Sequence, residues 1–270
     1  MSAARLSLQG LVVGRGTVAV AGPFDAGVAA GEALVVTGPN GAGKSTLLRT
    51  LAGLLPPLAG AIRLDGLVAA DGEPAERLAD AAHYVGHRHA MKGQISVGDN
   101  LGFWARYLGG GGGVDEPAGA APESASASGP THAVGPVTAS GNAAASLPLS
   151  PAEALAAVGL AGLEAIPFAY LSAGQQRRAS LARLLVADRP VWILDEPTSA
   201  LDAASQGRFA EIVARHLATG GIAIAATHHP LGLEGAKTLH IDARDPRSSG
   251  PGTPDALLDE DDLASAEGWL

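Results

Sequence analysis

The sequence predicts an α/β protein whose core is a mainly parallel β-sheet. In the second half of the chain, the apolar runs 191–194 and Ile222–Ala226 alternate with helical segments, which is typical of a parallel sheet. A third apolar run, Ala33–Thr37, precedes a glycine-rich loop and another helical segment. Residues 5–21 differ, because their loose alternation of apolar and polar side chains predicts short antiparallel strands.

Length and composition exclude several classes of protein. The chain has 270 residues, of which 47% are hydrophobic, enough for a packed core without covalent cross-links. It contains no cysteine, so disulfides and thiolate metal sites are excluded. The formal net charge of −9 argues against nucleic acid as a partner. No signal-peptide pattern and no apolar run long enough to cross a membrane is visible, so we expect a protein made and kept in the cytoplasm.

The elements follow in order from the antiparallel region. The turn at 31–32 leads into the strand Ala33–Thr37, and the helix over 47–52 stops at Pro56 and Pro57. Apolar patterning and turn residues predict the elements that come after this helix. These are short strands over 60–66 and 83–86 and helices over 96–108, 150–158, 172–185 and 202–217.

Residues 109–150 have the composition of a flexible insertion. The segment opens with five glycines, continues in Ala, Ser, Pro, Gly and Thr, and contains no aromatic residue. Such a segment buries too little apolar area to offset the entropy of ordering it. It ends at a clear helix start, because Ser150 is followed by Pro151 and then by Glu153. Residues 243–270 form an acidic C-terminal tail that we expect to be partly disordered.

A candidate nucleotide-binding loop lies between the strand Ala33–Thr37 and the following helix. Its sequence fits the phosphate-loop pattern G-x-x-x-x-G-K-[ST] without mismatch, and it has the strand–loop–helix context that the pattern requires. The backbone N–H groups of such a loop surround nucleotide phosphates, Lys44 supplies a cation, and the Ser45 hydroxyl is a ligand for Mg²⁺. The candidate residues are Gly38, Pro39, Asn40, Gly41, Ala42, Gly43, Lys44, Ser45 and Thr46.

Acidic side chains follow the apolar run 191–194. Asp195 is the candidate ligand for Mg²⁺, and Glu196 beside it is the candidate base that activates the attacking water. The next buried strand, Ile222–Ala226, leads to His228, the candidate contact for the γ-phosphate. Because ligands of parallel sheets bind at the carboxyl ends of the strands, we expect these residues beside the phosphate loop.

A second candidate phosphate site opens the helix predicted over 172–185. Small residues at a helix N-terminus favour an anion, but the chain's own nucleotide is already surrounded by the phosphate loop. We therefore expect this helix end to contact the nucleotide of a second copy, in a head-to-tail dimer that encloses two ATP molecules. The residues concerned are Leu171, Ser172, Ala173, Gly174 and Gln175.

In the order and spacing of its motifs, the chain resembles the ATP-binding subunits of ABC transporters. The resemblance extends over residues 5–242 and depends on the phosphate loop, on the stretches 171–175, 192–197 and 199–202, and on His228. It implies ATP and Mg²⁺ as cofactors, ATP hydrolysis with Glu196 as the base, and Asp202 as a residue of the nucleotide site. It also implies closure of a dimer by ATP and separate membrane-spanning partners.

The same resemblance implies a domain organisation. One ATP-binding domain is expected over residues 1–242, with a RecA-like phosphate-loop core and an antiparallel β subdomain. An α-helical subdomain is inserted at about residues 95–178, and the flexible insertion 109–150 lies within it. The acidic tail 243–270 lies outside this domain.

One branch of the family is more similar than the others, the ATP-binding subunits of the bacterial haem exporters for cytochrome c maturation. Where the family usually has Gln, the stretch 84–87 ends in His87, and the stretches 171–178 and 227–231 also match this branch. The similarity implies a catalytic-site role for His87 and a motor that powers haem export or the release of a haem chaperone. It implies integral membrane partners of the B and C type, and a peripheral location on the cytoplasmic face of the inner membrane.

The chain also departs from the family, and it leaves alternatives open. No Phe, Tyr or Trp precedes Phe24, so the usual adenine-stacking aromatic is missing, and the guanidinium plane of Arg15 is our candidate to replace it. A small ABC exporter with another cargo stays open, because nucleotide-site residues do not identify a cargo. A soluble ABC ATPase is disfavoured by the single cassette, and a phosphate-loop kinase by the stretch 171–175 together with His228.

Overall fold

The computed structural model describes residues 4–109, 147–227, 231, 233 and 235–242. These residues form a three-stranded antiparallel sheet and a five-stranded parallel sheet, with helices packed against the parallel one. The predicted α/β class with a mainly parallel sheet and an antiparallel part is thereby confirmed. Within these ranges, no helix is long and apolar enough to cross a membrane.

The strands of the described part are β1 (Arg5–Arg15), β2 (Val18–Ala29), β3 (Ala33–Thr37), β4 (Ala59–Asp65), β5 (Ala82–Val85), β6 (Val191–Asp195), β7 (Ile222–Ala226) and β8 (Lys237–His240). The α-helices are α1 (Lys44–Leu51), α2 (Leu78–Ala81), α3 (Val97–Leu108), α4 (Pro151–Ala157), α5 (Ala173–Ala182) and α6 (Ala203–Ala218). Within the described ranges, two 3-10 helices lie at Phe168–Tyr170 and Arg183–Leu185.

The antiparallel sheet has the strand order β2-β1-β4. The expectation of short strands that end at residue 21 is wrong, because β1 and β2 form one long pair whose register runs from Arg5↔Ala29 to Arg15↔Val18. Register shifts interrupt this pair at several points, between Leu8 and Leu11 among others. Each shift inserts extra residues into one strand and breaks the alternation of side chains, so the sequence pattern fades although the pairing continues.

The parallel sheet has the strand order β5-β6-β7-β3-β8. The central strands β6 and β7 are buried at every position, and this explains why they appear in the sequence as continuous apolar runs. β8 was not anticipated, because it is a short edge strand with mostly exposed side chains and has no apolar run. It pairs with β3 from Leu34↔Lys237 to Thr37↔His240.

The longer predicted helices are confirmed to within a residue or two at most ends. α3, α4 and α6 begin directly after the side-chain caps Ser96, Ser150 and Asp202. α5 is shorter than the predicted helix over 172–185, since its last turn is the 3-10 helix Arg183–Leu185. α2 lies in the polar stretch 67–81, where the sequence indicated no regular element.

Two hydrophobic clusters cover the two faces of the parallel sheet. On β6, Trp192 and Leu194 belong to one cluster, whereas Val191 and Ile193 belong to the other, as alternation along a strand requires. α5 and α6 pack on the first face and α1 on the second. The strand ends that carry the polar residues are therefore supported by packing on both sides.

Candidate active site

The candidate site lies where neighbouring parallel strands end. β6 ends on Asp195, β3 leads into the loop before α1, and β7 lies between these two strands. Parallel strands place their carboxyl ends at one edge of the sheet, so the loop and the acidic strand end converge there. The Ser45 hydroxyl donates a hydrogen bond to Asp195 Oδ1 over 3.1 Å.

The loop between β3 and α1 depends on glycine at three positions. Gly38, Gly41 and Gly43 have φ values of 141°, 80° and 104°, a region that side chains disfavour. A Cβ at Gly38 would collide with the carbonyl oxygen of Ile241, and a Cβ at Gly43 would lie 2.9 Å from a methyl carbon of Val20. Glycine therefore permits both the turn into α1 and the close approach of neighbouring chain.

Lys44, the first residue of α1, folds back over this loop. Its ammonium donates hydrogen bonds to the carbonyl oxygens of Gly38 at 2.8 Å and Pro39 at 3.0 Å. The residue is 8% exposed, so the loop itself holds the cation in place. A fixed ammonium next to a helix N-terminus is an arrangement that suits the phosphates of a nucleotide.

Asp195 is buried, and both of its carboxylate oxygens have partners. Ser45 donates to Oδ1, and the phenol of Tyr84 donates to Oδ2 over a longer distance of 3.5 Å. Burial and the charge of Asp195 raise the pKa of Tyr84 to about 12, which keeps the phenol protonated as a donor. A carboxylate beside a serine hydroxyl is a suitable oxygen donor pair for Mg²⁺.

Glu196 occupies a left-handed turn immediately after β6. Its φ is 47°, which is uncommon for a residue other than glycine. Its N–H donates to Ala226 O at 2.9 Å, and its carbonyl oxygen accepts from the Ser199 hydroxyl at 2.9 Å. The main chain of Glu196 is therefore held on both sides, by β7 and by the turn that follows.

A buried arginine, Arg177 of α5, completes the same turn. It donates hydrogen bonds to four carbonyl oxygens, those of Gly86, Asp195, Glu196 and Pro197. Burial lowers the pKa of Arg177, and the neighbouring charges of Asp195 and Glu196 oppose that shift. This arginine brings α5, the end of β5 and the end of β6 together at one point.

Tyr84 and Arg177 had no predicted role, although both lie in sequence stretches that resemble the family. A signal was present for Arg177, because it lies four residues before Leu181 and seven before Leu184, both fully or almost fully buried. That spacing puts a charged side chain on the apolar face of a helix, where it needs partners. For Tyr84, no pattern in the sequence indicated the contact with Asp195.

α5 begins with a reciprocal cap at its exposed end. The Ser172 hydroxyl accepts from the N–H of Gln175 at 3.3 Å, and the Gln175 side chain accepts from the N–H of Ser172 at 2.9 Å. Gly174 lies close to Ala200 O, since a Cβ added at Gly174 would be 3.4 Å from that oxygen. Leu171 is buried just before the cap and anchors the helix start.

The other predicted site residues are placed less centrally. Asp202 caps α6 by accepting from Ser205 N at 2.7 Å, and this bond lowers the pKa of its carboxyl. His87 is exposed and follows Gly86 at the end of β5, while Arg15 is exposed at the end of β1. His228 lies outside the described residues.

Comparison of the sequence with protein families and with curated proteins gives consistent matches. Residues 23–199 match the family model for the ABC transporter. A cytochrome c biogenesis ATP-binding export protein CcmA from Rhizobium meliloti is 48% identical over 238 residues, which span 88% of this chain and 97% of that protein. The protein of the same name from Nitrobacter winogradskyi is 46% identical over 237 residues, spanning 88% and 98%.

Solved structures share the fold. A putative ABC transporter ATP-binding protein from Pyrococcus furiosus has a TM-score of 0.61 at 21% identity, with 88% of this chain and 97% of that chain covered. An ATP-binding subunit of an ABC transporter has a TM-score of 0.62 at 19% identity, with 89% and 88% covered. At these identities the likeness concerns the architecture alone, and it confirms the expected ABC ATPase fold.

Proposed function

The chain belongs to the ABC transporter family, and we propose that it is the ATP-hydrolysing subunit of a complex that serves c-type cytochrome biogenesis. The observation that carries the proposal is the similarity to the cytochrome c biogenesis ATP-binding export proteins CcmA, at 48% identity over 97% of the Rhizobium meliloti protein. His87 at the end of β5 and the stretch 171–178 agree with it. The cargo that fits the name is haem, exported or released with a haem chaperone.

Within this function the phosphate loop, Gly38 to Thr46, binds the phosphates of ATP. Lys44 is held over the loop by Gly38 O and Pro39 O, and it can move to a phosphate without leaving this edge of the sheet. Ser45 and Asp195 fit Mg²⁺, because they offer two oxygen donors already in contact. Bound there, the ion neutralises charge on the phosphates. Arg15 is the proposed contact for adenine.

Glu196 is the proposed base. Its main chain is fixed beside the Mg²⁺ ligand Asp195, so its carboxylate can accept a proton from water that attacks the γ-phosphate. His87 and His228 are the proposed contacts for that water and for the γ-phosphate. Positioning of this kind is the main contribution a protein makes to phosphoryl transfer.

The exposed start of α5 supports a dimer. Ser172, Ala173, Gly174 and Gln175 form a capped helix end, which Leu171 anchors in the core. Family membership implies dimerisation, and in a head-to-tail arrangement this helix end contacts the phosphates bound to the second copy. Asp202 caps α6 near this surface and is proposed to contact the same nucleotide.

Membrane subunits are the remaining partners. α3 carries two aromatic side chains, Phe103 and Tyr107, that stack on each other with ring centroids 5.8 Å apart and are 52% and 61% exposed. We propose that this surface binds an apolar segment of an integral membrane subunit of the B or C type. Such binding places the chain at the cytoplasmic face of the inner membrane as a peripheral protein.

The first prediction tests the assignment in the source cell. Glu196→Gln is expected to abolish covalent attachment of haem to c-type cytochromes, because the carboxamide cannot accept a proton. The apocytochromes are expected to be made and exported normally. Haem staining and immunodetection of the same cytochromes measure the two quantities.

A matched control is Glu211→Gln, because Glu211 is an exposed acidic residue of α6 with no assigned role in the site. Normal haem attachment in Glu196→Gln cells, with ATP hydrolysis lost in the purified protein, would remove the link to cytochromes and leave a transporter motor with another cargo. Retained hydrolysis would instead remove Glu196 as the base.

A further inference from the structure

Arg177 is a buried cation whose hydrogen bonds all go to main-chain oxygens. Nη1 donates to Gly86 O at 2.9 Å, Nη2 to Asp195 O at 3.0 Å and Glu196 O at 2.6 Å, and Nε to Pro197 O at 3.1 Å. The residue is 3% exposed. A buried guanidinium costs desolvation energy, so its retention here calls for a reason beyond filling space.

The acceptors show what the guanidinium controls. The carbonyl groups of Asp195, Glu196 and Pro197 are consecutive along the turn in which Glu196 has a φ of 47°. Three consecutive carbonyl groups can face one cation only if the main chain curls around it. The direction of the Glu196 side chain follows from this curl, because a left-handed residue projects its Cβ differently from an extended one.

The guanidinium also joins two other segments to the turn. Its fourth acceptor, Gly86 O, lies directly before His87. On the other side, Arg177 lies in the second turn of α5, whose capped start at Ser172 faces outward. One side chain therefore sets the position of Glu196 relative to His87 and to the helix that meets the second subunit.

Arginine is suited to this role and lysine is not. The guanidinium is planar and offers five N–H donors in a fixed fork, whereas an ammonium offers three donors from a single atom. The four acceptors of Arg177 lie on two segments of chain and are reached from three nitrogen atoms. A lysine ammonium at this point can bond only some of them, although it keeps the charge.

We propose that Arg177 is a positioning residue for ATP hydrolysis, which holds the Glu196 turn in its left-handed form and ties it to α5. The inference rests on the proposed role of Glu196 as the base. The described hydrogen bonds of Arg177 go to Gly86 and to residues 195–197, and none of them goes to the phosphate loop. Its loss therefore slows the chemical step and leaves ATP binding intact.

The test compares Arg177→Lys with Arg183→Lys in the purified full-length chain. Arg183 is a matched control, because it is also a buried arginine that donates to a main-chain oxygen, His89 O, and its described hydrogen bonds do not include the carbonyl groups of residues 195–197. We expect Arg177→Lys to lower kcat for MgATP roughly tenfold or more, with KM changed by less than about twofold. Arg183→Lys is expected to keep kcat within about twofold. Rates are expressed per ATP-binding site, counted by ATP titration, so that misfolded protein does not register as a lower kcat.

The double variant Arg177→Lys with Glu196→Gln separates positioning from general structural support. If Arg177 acts through Glu196, the double variant hydrolyses ATP no more slowly than Glu196→Gln alone, since the effects of residues that act as a unit do not multiply. A kcat of the double variant that is lowered by the product of the two single losses would overturn the inference, and so would an unchanged kcat in Arg177→Lys. Glu196→Gln with full turnover would instead contradict the proposed base, and the inference would fall with it.

Discussion

Among single residues, Asp195 has a hydrogen-bond partner at each of its oxygen atoms. Ser45 and Tyr84 each donate to one of its carboxylate oxygens, and Arg177 binds its carbonyl oxygen. The carboxylate is therefore oriented before any ion binds. Preorganisation of this kind lowers the cost of arranging the site when the ion and nucleotide arrive.

Tyr84→Phe tests the weaker of the two carboxylate contacts. The hydrogen bond spans 3.5 Å, so its net contribution is at the low end of the usual range of about 0.5–1.5 kcal/mol. We expect the Mg²⁺ concentration for half-maximal ATP hydrolysis to rise by about two- to threefold, with kcat at saturating Mg²⁺ nearly unchanged.

The measurement is a Mg²⁺ titration of hydrolysis at fixed ATP. Phenylalanine keeps the ring and its packing and removes only the hydroxyl, which also interacts with the Arg49 side chain, so the variant is its own control for shape. An unchanged Mg²⁺ requirement would show that Ser45 alone orients the Asp195 carboxylate.

Among the elements, α5 has two separate tasks, one at its start and one in its second turn. Its start is capped by local hydrogen bonds between Ser172 and Gln175 and faces outward. Its second turn carries Arg177 into the core of the site. The same helix thus presents a surface for the second subunit and supports the acidic turn of its own subunit.

Ser172→Asp tests the outward end without removing its cap. Aspartate caps helices about as well as serine, so α5 is expected to stay folded, but its carboxylate repels the phosphates bound to the second copy. In a Glu196→Gln background, where ATP is not consumed, we expect Ser172→Asp to remain monomeric with ATP. Sedimentation or size-exclusion chromatography with and without MgATP measures the association.

Ser172→Asn is the control, because asparagine also caps and carries no charge. It is expected to allow the ATP-dependent dimer. Dimerisation of Ser172→Asp to the same extent would contradict a contact between this helix end and a phosphate.

For the whole molecule, the packing of α6 on the parallel sheet makes the free energy of unfolding depend on pH. The His216 ring stacks on Trp192 with centroids 3.8 Å apart, and its Nε2 lies 3.2 Å from Ile222 O. Burial lowers the pKa of His216 from its ordinary 6.5 to about 4, although its backbone hydrogen bonds oppose the shift. His83, which is fully buried, has its pKa lowered by burial as well.

These shifts predict that stability falls as the solution becomes acidic. Between about pH 6.5 and pH 4 the unfolded chain binds protons that the folded chain does not, so the free energy of unfolding decreases as pH falls through this window. His216 alone accounts for about 3 kcal/mol of this loss, as an order of magnitude. Urea unfolding at a series of pH values measures the effect.

His216→Gln keeps a polar side chain at this position and removes the titrating ring. We expect it to be less stable at neutral pH, because the stacking on Trp192 is lost. It should also lose less stability between pH 6.5 and pH 4 than the unchanged protein. Equal slopes in the two proteins would show that other groups cause the pH dependence.

Features that depend on local interactions could be predicted from the sequence. The glycine-rich loop between β3 and α1, the capped starts of α4 and α6, and the buried strands β6 and β7 each follow from residues that are close in the chain. A capping bond spans three residues, and a buried strand needs only a run of apolar side chains. The candidate residues Asp195 and Glu196 were found in the same way, from their place after β6.

The identity of the distant residues that complete the site depends instead on how the chain folds. The bond from Arg177 to Gly86 joins residues 91 apart, and the bond from Tyr84 to Asp195 joins residues 111 apart. Such contacts depend on the order of strands in the sheet and on how α5 packs against it. No local sequence pattern predicts either of these. The length of β2 and the edge strand β8 could not be predicted from the sequence for the same reason. Pairing with a neighbouring strand, rather than local side-chain alternation, holds both strands in place.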